Sequence, residues 1–352
     1  MTQLTDYLQR AVTDQASDLF IVAGGPVCAK VENRLVPISQ DRVFPEETEE
    51  LVRAVYAMAA RPMDRFLEQG DDDFSFSVPG MARFRVNVYR QRGSMAAVIR
   101  VVAFDIPSWK DLLIPEGVMA LSQVQHGMVL VTGTAGSGKS TTQACIIDRI
   151  NQTRECHIIT LEDPIEYLHR DQKSIVSQRE MAIDTADYPS ALRACLRQAP
   201  DVILLGEMRD QETIHTAMTA AETGHLLIAT LHTKGAVNTI DRIVDTFPSG
   251  QQDQVRVQLS MVLHTVVSQQ LVPNTRGGLV PAFEIMHVNN AIRSLIRDSK
   301  THQIDNAIAA GGGEGMITMD QSLLALYKGG EVTAETALAY ADNPDQLKRR
   351  MG

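Results

Sequence analysis

The densest chemistry in the sequence lies in Gly133-Thr134-Ala135-Gly136-Ser137-Gly138-Lys139-Ser140. Its spacing, G-x-x-x-x-G-K-[ST], is that of a loop that wraps phosphate. Glycines let successive backbone N–H groups turn inward around phosphate oxygens. Lys139 supplies a point charge for the β- and γ-phosphates, and Ser140 a hydroxyl for Mg²⁺. Thr141 begins a helical run, Thr141–Ile150, whose N-terminus adds partial positive charge. An apolar strand, Met128–Thr132, precedes the loop. That strand–loop–helix setting separates it from a glycine turn that binds nothing. ATP and Mg²⁺ are therefore the expected ligands of residues 133–141.

Three later runs end in polar residues that suit the same chemistry. Ile158-Ile159-Thr160-Leu161-Glu162-Asp163-Pro164-Ile165-Glu166 reads as a buried strand ending in acids. Ligands of open α/β sheets sit at the carboxyl ends of strands, which puts Glu162 and Asp163 near the phosphate loop. A carboxylate there can orient and polarise an attacking water. Spacing alone equally allows these acids to cap a helix starting at Asp163-Pro164. Asp201-Val202-Ile203-Leu204-Leu205-Gly206-Glu207 has the Walker B form, with Glu207 in place of the usual Asp and suited to hold Mg²⁺ through water. An ordinary strand end is the alternative. Ala221 to Thr233 forms a third strand with a histidine at each end. His232 lies at the carboxyl end, where a γ-phosphate would be, and is favoured over His225.

These groups need elements to position them. Met128–Thr132, Cys156–Leu161, Val202–Leu205 and Leu226–Thr230 are solid apolar runs, as in strands buried on both faces, so residues 116–352 read as an α/β domain with a parallel core. Its tail, 289–352, looks helical, with a break at Gly311-Gly312-Gly313. The first part of the chain has another style. A short helix over 3–13 leads to a strand at Leu19–Val22. A hairpin follows, Val27–Val31 and Leu35–Ile38, turning at Glu32-Asn33-Arg34. Residues 46–68 look helical. Residues 73–103 alternate: Phe74, Phe76 and Val78, then Phe84, Val86 and Val88, then Ala97, Ile99 and Val101 mark antiparallel strands with one buried face. Residues 1–104 thus form a small α+β domain, and 105–115 a linker anchored by Trp109. Arg83, Arg85, Arg90, Arg92 and Arg100 fall in this sheet region. They read either as an anion site or as a solvated face. Arg193 and Arg197 form an i, i+4 basic stripe on a predicted helix.

The whole chain has 352 residues, 43 acidic against 33 basic, a net charge of −10 and only 5% aromatic residues. That balance disfavours nucleic acid as a partner. Cys28, Cys145, Cys156 and Cys195 make no C-x-x-C pair, so zinc or redox spacing is absent. No run approaches the ~20 apolar residues of a membrane span. Asp6 and Asp14 stand where a signal peptide is basic and then apolar. A cytoplasmic protein that meets a membrane only through partners is expected.

In this order, the motifs resemble the secretion ATPase superfamily, and within it the type IV pilus retraction ATPases, the PilT/PilU group. The likeness covers essentially the whole chain. It rests on Ser17-Asp18-Leu19, the phosphate loop, Thr160-Leu161-Glu162-Asp163-Pro164-Ile165-Glu166 and Gly206-Glu207-Met208-Arg209-Asp210. It continues through the histidine-containing stretch 220–233 and Ala291-Ile292-Arg293-Ser294-Leu295-Ile296-Arg297. The resemblance implies a RecA-like P-loop ATPase domain preceded by a PAS-like α+β domain, assembled as a homohexamer with nucleotide between the domains. It implies Glu162 as the general base, Glu207 as the Walker B acid and His232 as a γ-phosphate sensor. It implies that Arg85 and Arg100 reach the phosphates from the N-terminal domain, with Arg83 a weaker candidate. An inner-membrane pilus platform protein and a paralogous retraction ATPase are the implied partners, and segment 291–297 is implied in retraction itself. Ala135 departs from the family's usual Thr at a position that contributes only backbone. Paralogue markers point both ways: Leu19-Phe20-Ile21 and the run 196–201 resemble PilU, and segment 291–297 resembles PilT. Assembly and type II secretion ATPases commonly carry an extra N-terminal domain and a four-cysteine zinc module; with the PAS-like segment at the start of this sequence and no C-x-x-C in it, the retraction class is the expectation. A nucleotide-binding regulator with little turnover is the competing reading from another class. The joint presence of Glu162, Glu207 and His232 argues against it.

Overall fold

A computed structural model of the chain describes residues 2–31, 34–102 and 106–351. The expected turn residues Glu32 and Asn33, and Asp105 of the expected linker, lie outside the described residues. The chain divides into two compact units, one of Met1–Asp105 with Glu166–Leu168 and one of Ile106–Ile165 with His169–Gly352.

The first unit is built on a sheet of β1 (Asp18–Ile21), β2 (Cys28–Val31), β3 (Arg34–Pro37), β4 (Asp71–Val78), β5 (Ala82–Gln91) and β6 (Ser94–Val102). Its strand order is β3-β2-β1-β6-β5-β4. The alternation read from the sequence holds: Phe74, Phe76, Phe84, Val86, Val88, Ala97 and Ile99 form one core with helices Thr2–Thr13 and Pro45–Met58. Asp72 shares that buried face. Its carboxylate accepts from Tyr56 Oη at 3.1 Å, Arg61 Nε at 2.9 Å and Arg61 Nη2 at 3.0 Å, which compensates its burial. The expected single helix over 46–68 is two, Pro45–Met58 and Asp64–Gln69. Pro62 has no N–H and bars Arg61 from helical backbone, so the helix stops before it.

The second unit is a sheet of β7 (Gly127–Thr132), β8 (His157–Glu162), β9 (Ile175–Glu180), β10 (Val202–Leu205), β11 (Leu226–Leu231), β12 (Leu263–Pro273) and β13 (Leu279–His287), ordered β13-β12-β7-β11-β10-β8-β9. All neighbours are parallel except β12 and β13. The solid apolar runs have a simple cause. Met128 and Leu130 enter one core, and Val129 and Val131 the other, on the opposite face. At the amino ends, polar pins tie β8 to β10. Asp201 Oδ2 accepts from the His157 backbone N–H at 2.8 Å, the Asp201 N–H donates to the His157 carbonyl at 2.9 Å, and the Asp201 carbonyl accepts from Leu226 N–H at 3.1 Å.

Three further expectations need correction. Asp163-Pro164 is a cis peptide and no helix follows it; the next one begins at Tyr188. The Ile165 N–H goes instead to Glu180 Oε2 at 3.1 Å. Gly311–Glu314 is a 3₁₀ turn continuing from helix Ile304–Ala310, and left-handed Gly315 (φ 82°) ends it. Arg193 and Arg197 make no stripe, because the helix Tyr188–Cys195 ends between them ahead of Ala199 (φ 50°) and Pro200. Arg193 pairs with Glu212. Trp109 packs against the core on the β7 face that Val129 and Val131 enter, with the Arg149 guanidinium 5.6 Å from its ring centroid.

Candidate functional site

The strand order places the candidate residues side by side. β7, β11, β10 and β8 are adjacent and parallel, and their carboxyl ends carry, in that order, the phosphate loop, His232, Glu207 and Glu162. Gly206 N–H donates to the Leu161 carbonyl at 2.8 Å, and Gly133 N–H to the Leu231 carbonyl at 3.3 Å, so these ends are hydrogen-bonded to one another.

The loop from Gly133 runs into helix Lys139–Thr153, so Ser140 and Thr141 lie in its first turn. Lys139 is buried, and its Nζ donates to the carbonyls of Gly133 and Thr134, each at 2.9 Å. The ammonium is thereby held inside the loop. Gly133 has φ 145°, and a Cβ there would lie 2.3 Å from the Gln269 carbonyl and 2.5 Å from Ser137 Oγ. Gly136 also has positive φ, 75°, but faces open space. Gln269, buried on β12, braces the loop from the neighbouring strand: its Oε1 accepts from Thr142 Oγ1 at 2.7 Å. This residue could not be found from the sequence, because nothing local ties position 269 to position 133.

Glu162 accepts from Thr160 Oγ1 at 2.6 Å and from Gln178 Nε2 at 3.2 Å, both at Oε1. Tyr188 lies close by. A Cβ on Gly206 would be 2.7 Å from its hydroxyl, so glycine at 206 makes room for the phenol. Burial, then the charges of Asp163 and Glu162, push the Tyr188 phenol up, and it stays protonated.

Glu207 meets two cations or potential cations. Arg209 forms an ion pair with Oε1, and His232 Nε2 lies 3.1 Å from Oε2. Burial, then the charges of Lys139 and Arg209, hold the His232 imidazole below its usual range. An ionised carboxylate only accepts, so the Nε2–H tautomer of His232 makes this bond. Thr230 Oγ1 donates to the Gly206 carbonyl, and Met208 N–H to the Thr230 carbonyl at 3.1 Å, locking the Glu207 turn to β11. Arg209 sits inside the quoted motif 206–210, yet its type alone did not single it out. His225, at the opposite end of β11, bonds the Ala220 carbonyl at 2.9 Å. No group of three or more metal-ligating side chains occurs among the described residues.

Arg85 and Arg100 are on the first unit, directly opposite each other in the β5–β6 register. They line a cavity of about 250 Å³ with Asp18, Asp73, Asn87 and Val98. Arg100 Nε binds Asp18 Oδ1 at 2.9 Å with most of its side chain exposed. Arg83 Nη1 donates to Ser77 Oγ at 3.3 Å. The segment 291–297 lies in helix Asn290–Arg297, with Ile292 and Ile296 buried and Leu295 half-buried, as its spacing predicts. No described helix is long and apolar enough to cross a membrane.

The profile of the family described as "Type II/IV secretion system protein" matches residues 1–315. The chain is 43% identical over 344 residues to the type IV pilus retraction ATPase PilT of Pseudomonas aeruginosa, covering 98% of this chain and 99% of that protein. It is 40% identical over 342 residues to the type IV pilus ATPase PilU of the same organism, covering 97% and 89%. Among solved structures, the pilus retraction motor PilT with bound ADP superposes with a TM-score of 0.89 at 46% identity, over 97% of this chain and 98% of the other.

Proposed function

Because the chain belongs to the type II/IV secretion system protein family, we propose that it is an ATP-hydrolysing motor that retracts type IV pili. The observation that carries the reading is the row of phosphate loop, His232, Glu207 and Glu162 along four adjacent strand ends. Near full-length similarity to pilus retraction ATPases supports it. The working unit is a homohexamer, docked on an inner-membrane platform protein and acting beside a paralogue of the PilU kind.

In this reading, residues 133–141 cradle the phosphates through backbone N–H groups, and Lys139 leaves its loop carbonyls for the β- and γ-oxygens. Glu162 accepts the proton of the water whose oxygen attacks the γ-phosphorus, and ADP is the leaving group. His232 reads the γ-phosphate and passes its presence to Glu207 through their hydrogen bond. The Ser140 hydroxyl and the Glu207 carboxylate are hard oxygen donors of the kind Mg²⁺ takes, so they are the residues that would hold it. Bound there, Mg²⁺ would supply positive charge to offset that of the phosphates. Arg85 and Arg100 supply further positive charge to the phosphates.

The test separates binding from chemistry. Glu162→Gln keeps the shape of the side chain but cannot take the proton. It should bind an ATP analogue normally and release almost no phosphate. Lys139→Ala should lose both. Phosphate release by Glu162→Gln near the parental rate would remove Glu162 as the base.

A further inference from the structure

Edge strand β9 was not legible as a strand, and it does more than complete the sheet. In the parallel β8–β9 register, Gln178 lies beside Thr160 and Glu180 beside Glu162. Gln178 and Glu180 are two apart on one strand, so they face the same way. Both reach the loop that follows Glu162. Glu180 Oε2 accepts from Ile165 N–H at 3.1 Å, and Gln178 Oε1 accepts from His169 N–H at 2.8 Å. The other end of the Gln178 amide, Nε2, donates to Glu162 Oε1 at 3.2 Å.

The orientation of this amide is dictated. A flipped Gln178 would set its NH₂ against the His169 N–H and its carbonyl oxygen against the Glu162 carboxylate, two repulsive contacts in place of two bonds. The backbone of the loop thus fixes which end of Gln178 faces Glu162. Thr160 Oγ1 donates to the same Oε1 at 2.6 Å, so two donors from neighbouring strands hold this carboxylate.

We propose that Gln178 is a positioning residue for hydrolysis, aiming the Glu162 carboxylate and favouring its ionised form. The proposal rests on the reading of Glu162 as the base. It acts through Glu162 alone and needs no contact with nucleotide.

The decisive experiment is a double-mutant cycle on the full-length protein. Gln178→Met preserves length and bulk but donates nothing. Phosphate release should fall by about ten- to hundredfold, the usual worth of a hydrogen bond to a charged group. Affinity for a fluorescent ATP analogue should stay within about twofold. The acidic limb of kcat against pH should move to higher pH, because a carboxylate that loses a donor protonates more easily. In the Glu162→Gln background, followed by single-turnover phosphate release, Gln178→Met should cost nothing further.

A purely structural role predicts the opposite pattern: an equal loss in both backgrounds and an unmoved pH limb. Either result overturns the proposal, as does a parental rate for Gln178→Met. Gln178→Glu is the second variant, should the first fold poorly. It keeps an acceptor for His169 N–H but sets a second carboxylate against Glu162. It should lose rate at neutral pH and regain part of it at higher pH; a parental profile would again sink the proposal. If Glu162→Gln itself hydrolyses ATP normally, the reading of the base fails, whatever Gln178 does.

Discussion

Two glycines of the phosphate loop offer a graded test of how tightly β12 constrains the nucleotide site. Gly133 and Gly136 both have positive φ. Alanine at either position costs about 1–2 kcal/mol for a left-handed backbone. They differ in what the new methyl meets. At Gly136 it meets nothing within 4 Å. At Gly133 it meets the Gln269 carbonyl oxygen at 2.3 Å, where real Cβ contacts essentially never fall under 3.0 Å. That oxygen belongs to backbone hydrogen-bonded between β7 and β13, so it yields poorly. The loop must shift by several tenths of an ångström instead, and a misplacement of about 1 Å at a reacting group costs about 10²-fold in rate. Gly136→Ala should therefore weaken nucleotide binding by no more than about thirtyfold, the equivalent of about 2 kcal/mol. Gly133→Ala should lose about 10²-fold or more in phosphate release. It should also melt at lower temperature. Binding is read with a fluorescent ADP analogue, turnover by phosphate release and stability by a thermal melt. Equal behaviour of the two variants, or a Gly133→Ala rate within tenfold of the parent, would refute the claim that β12 sets the loop.

Other consequences are open to measurement. Glu284 on β13 is buried and accepts from Ala236 N–H at 2.7 Å, just past the His232 turn; burial, with the charges of Asp342 and Asp305, pushes it up to about 7. Its folded form favours the proton, so its share of stability is full below about pH 4.5 and is lost as pH rises through about 7, a change of at most about 3 kcal/mol. The melting temperature should then fall less between pH 6 and 8.5 in Glu284→Gln than in the parent, and parallel curves would discount Glu284. Arg100→Ala and Arg85→Ala should reduce turnover more than nucleotide affinity if these arginines act on the phosphates; unchanged turnover would return them to a solvated sheet face. The double variant Arg293→Ala, Arg297→Ala should keep its fold and most of its ATPase rate, yet fail to restore pilus retraction in a strain lacking the gene. Normal retraction would remove these arginines from the coupling path.

What the sequence made legible was local. The phosphate loop, Glu162, Glu207 and His232 each sit at the end of an apolar run, so type and position coincide in a few residues. The partners that hold them are distant in the chain. Gln269 reaches Thr142 across 127 positions, and no periodicity could pair them. β9 escaped notice because it is a half-exposed edge of mixed composition, Ile175-Val176-Ser177-Gln178-Arg179-Glu180, with neither a solid apolar run nor a clean alternation. Asp72 broke the rule that the alternating face is apolar, since Tyr56 and Arg61 satisfy it from another element. A helix start at Asp163-Pro164 stayed open in the sequence beside a catalytic reading of the acids, because its residue types suit one; no helix forms there, and the Ile165 N–H goes to Glu180.

The amino-end pins around Asp201 matter at the other end of the sheet. β10 is apolar on every residue, and the middle of β8 puts Ile158 into one core and Ile159 and Leu161 into the other, so a slip of one position would still bury apolar side chains on both faces. Hydrophobicity therefore says little about how far β8 and β10 slide past each other. The Asp201 carboxylate on the His157 N–H does say it, and acts as an alignment mark. A slip of one residue moves a strand by about 3.3 Å, enough to carry Glu162 or Glu207 out of line with its neighbours. The alignment of the candidate row is thus written partly at the far edge of the sheet.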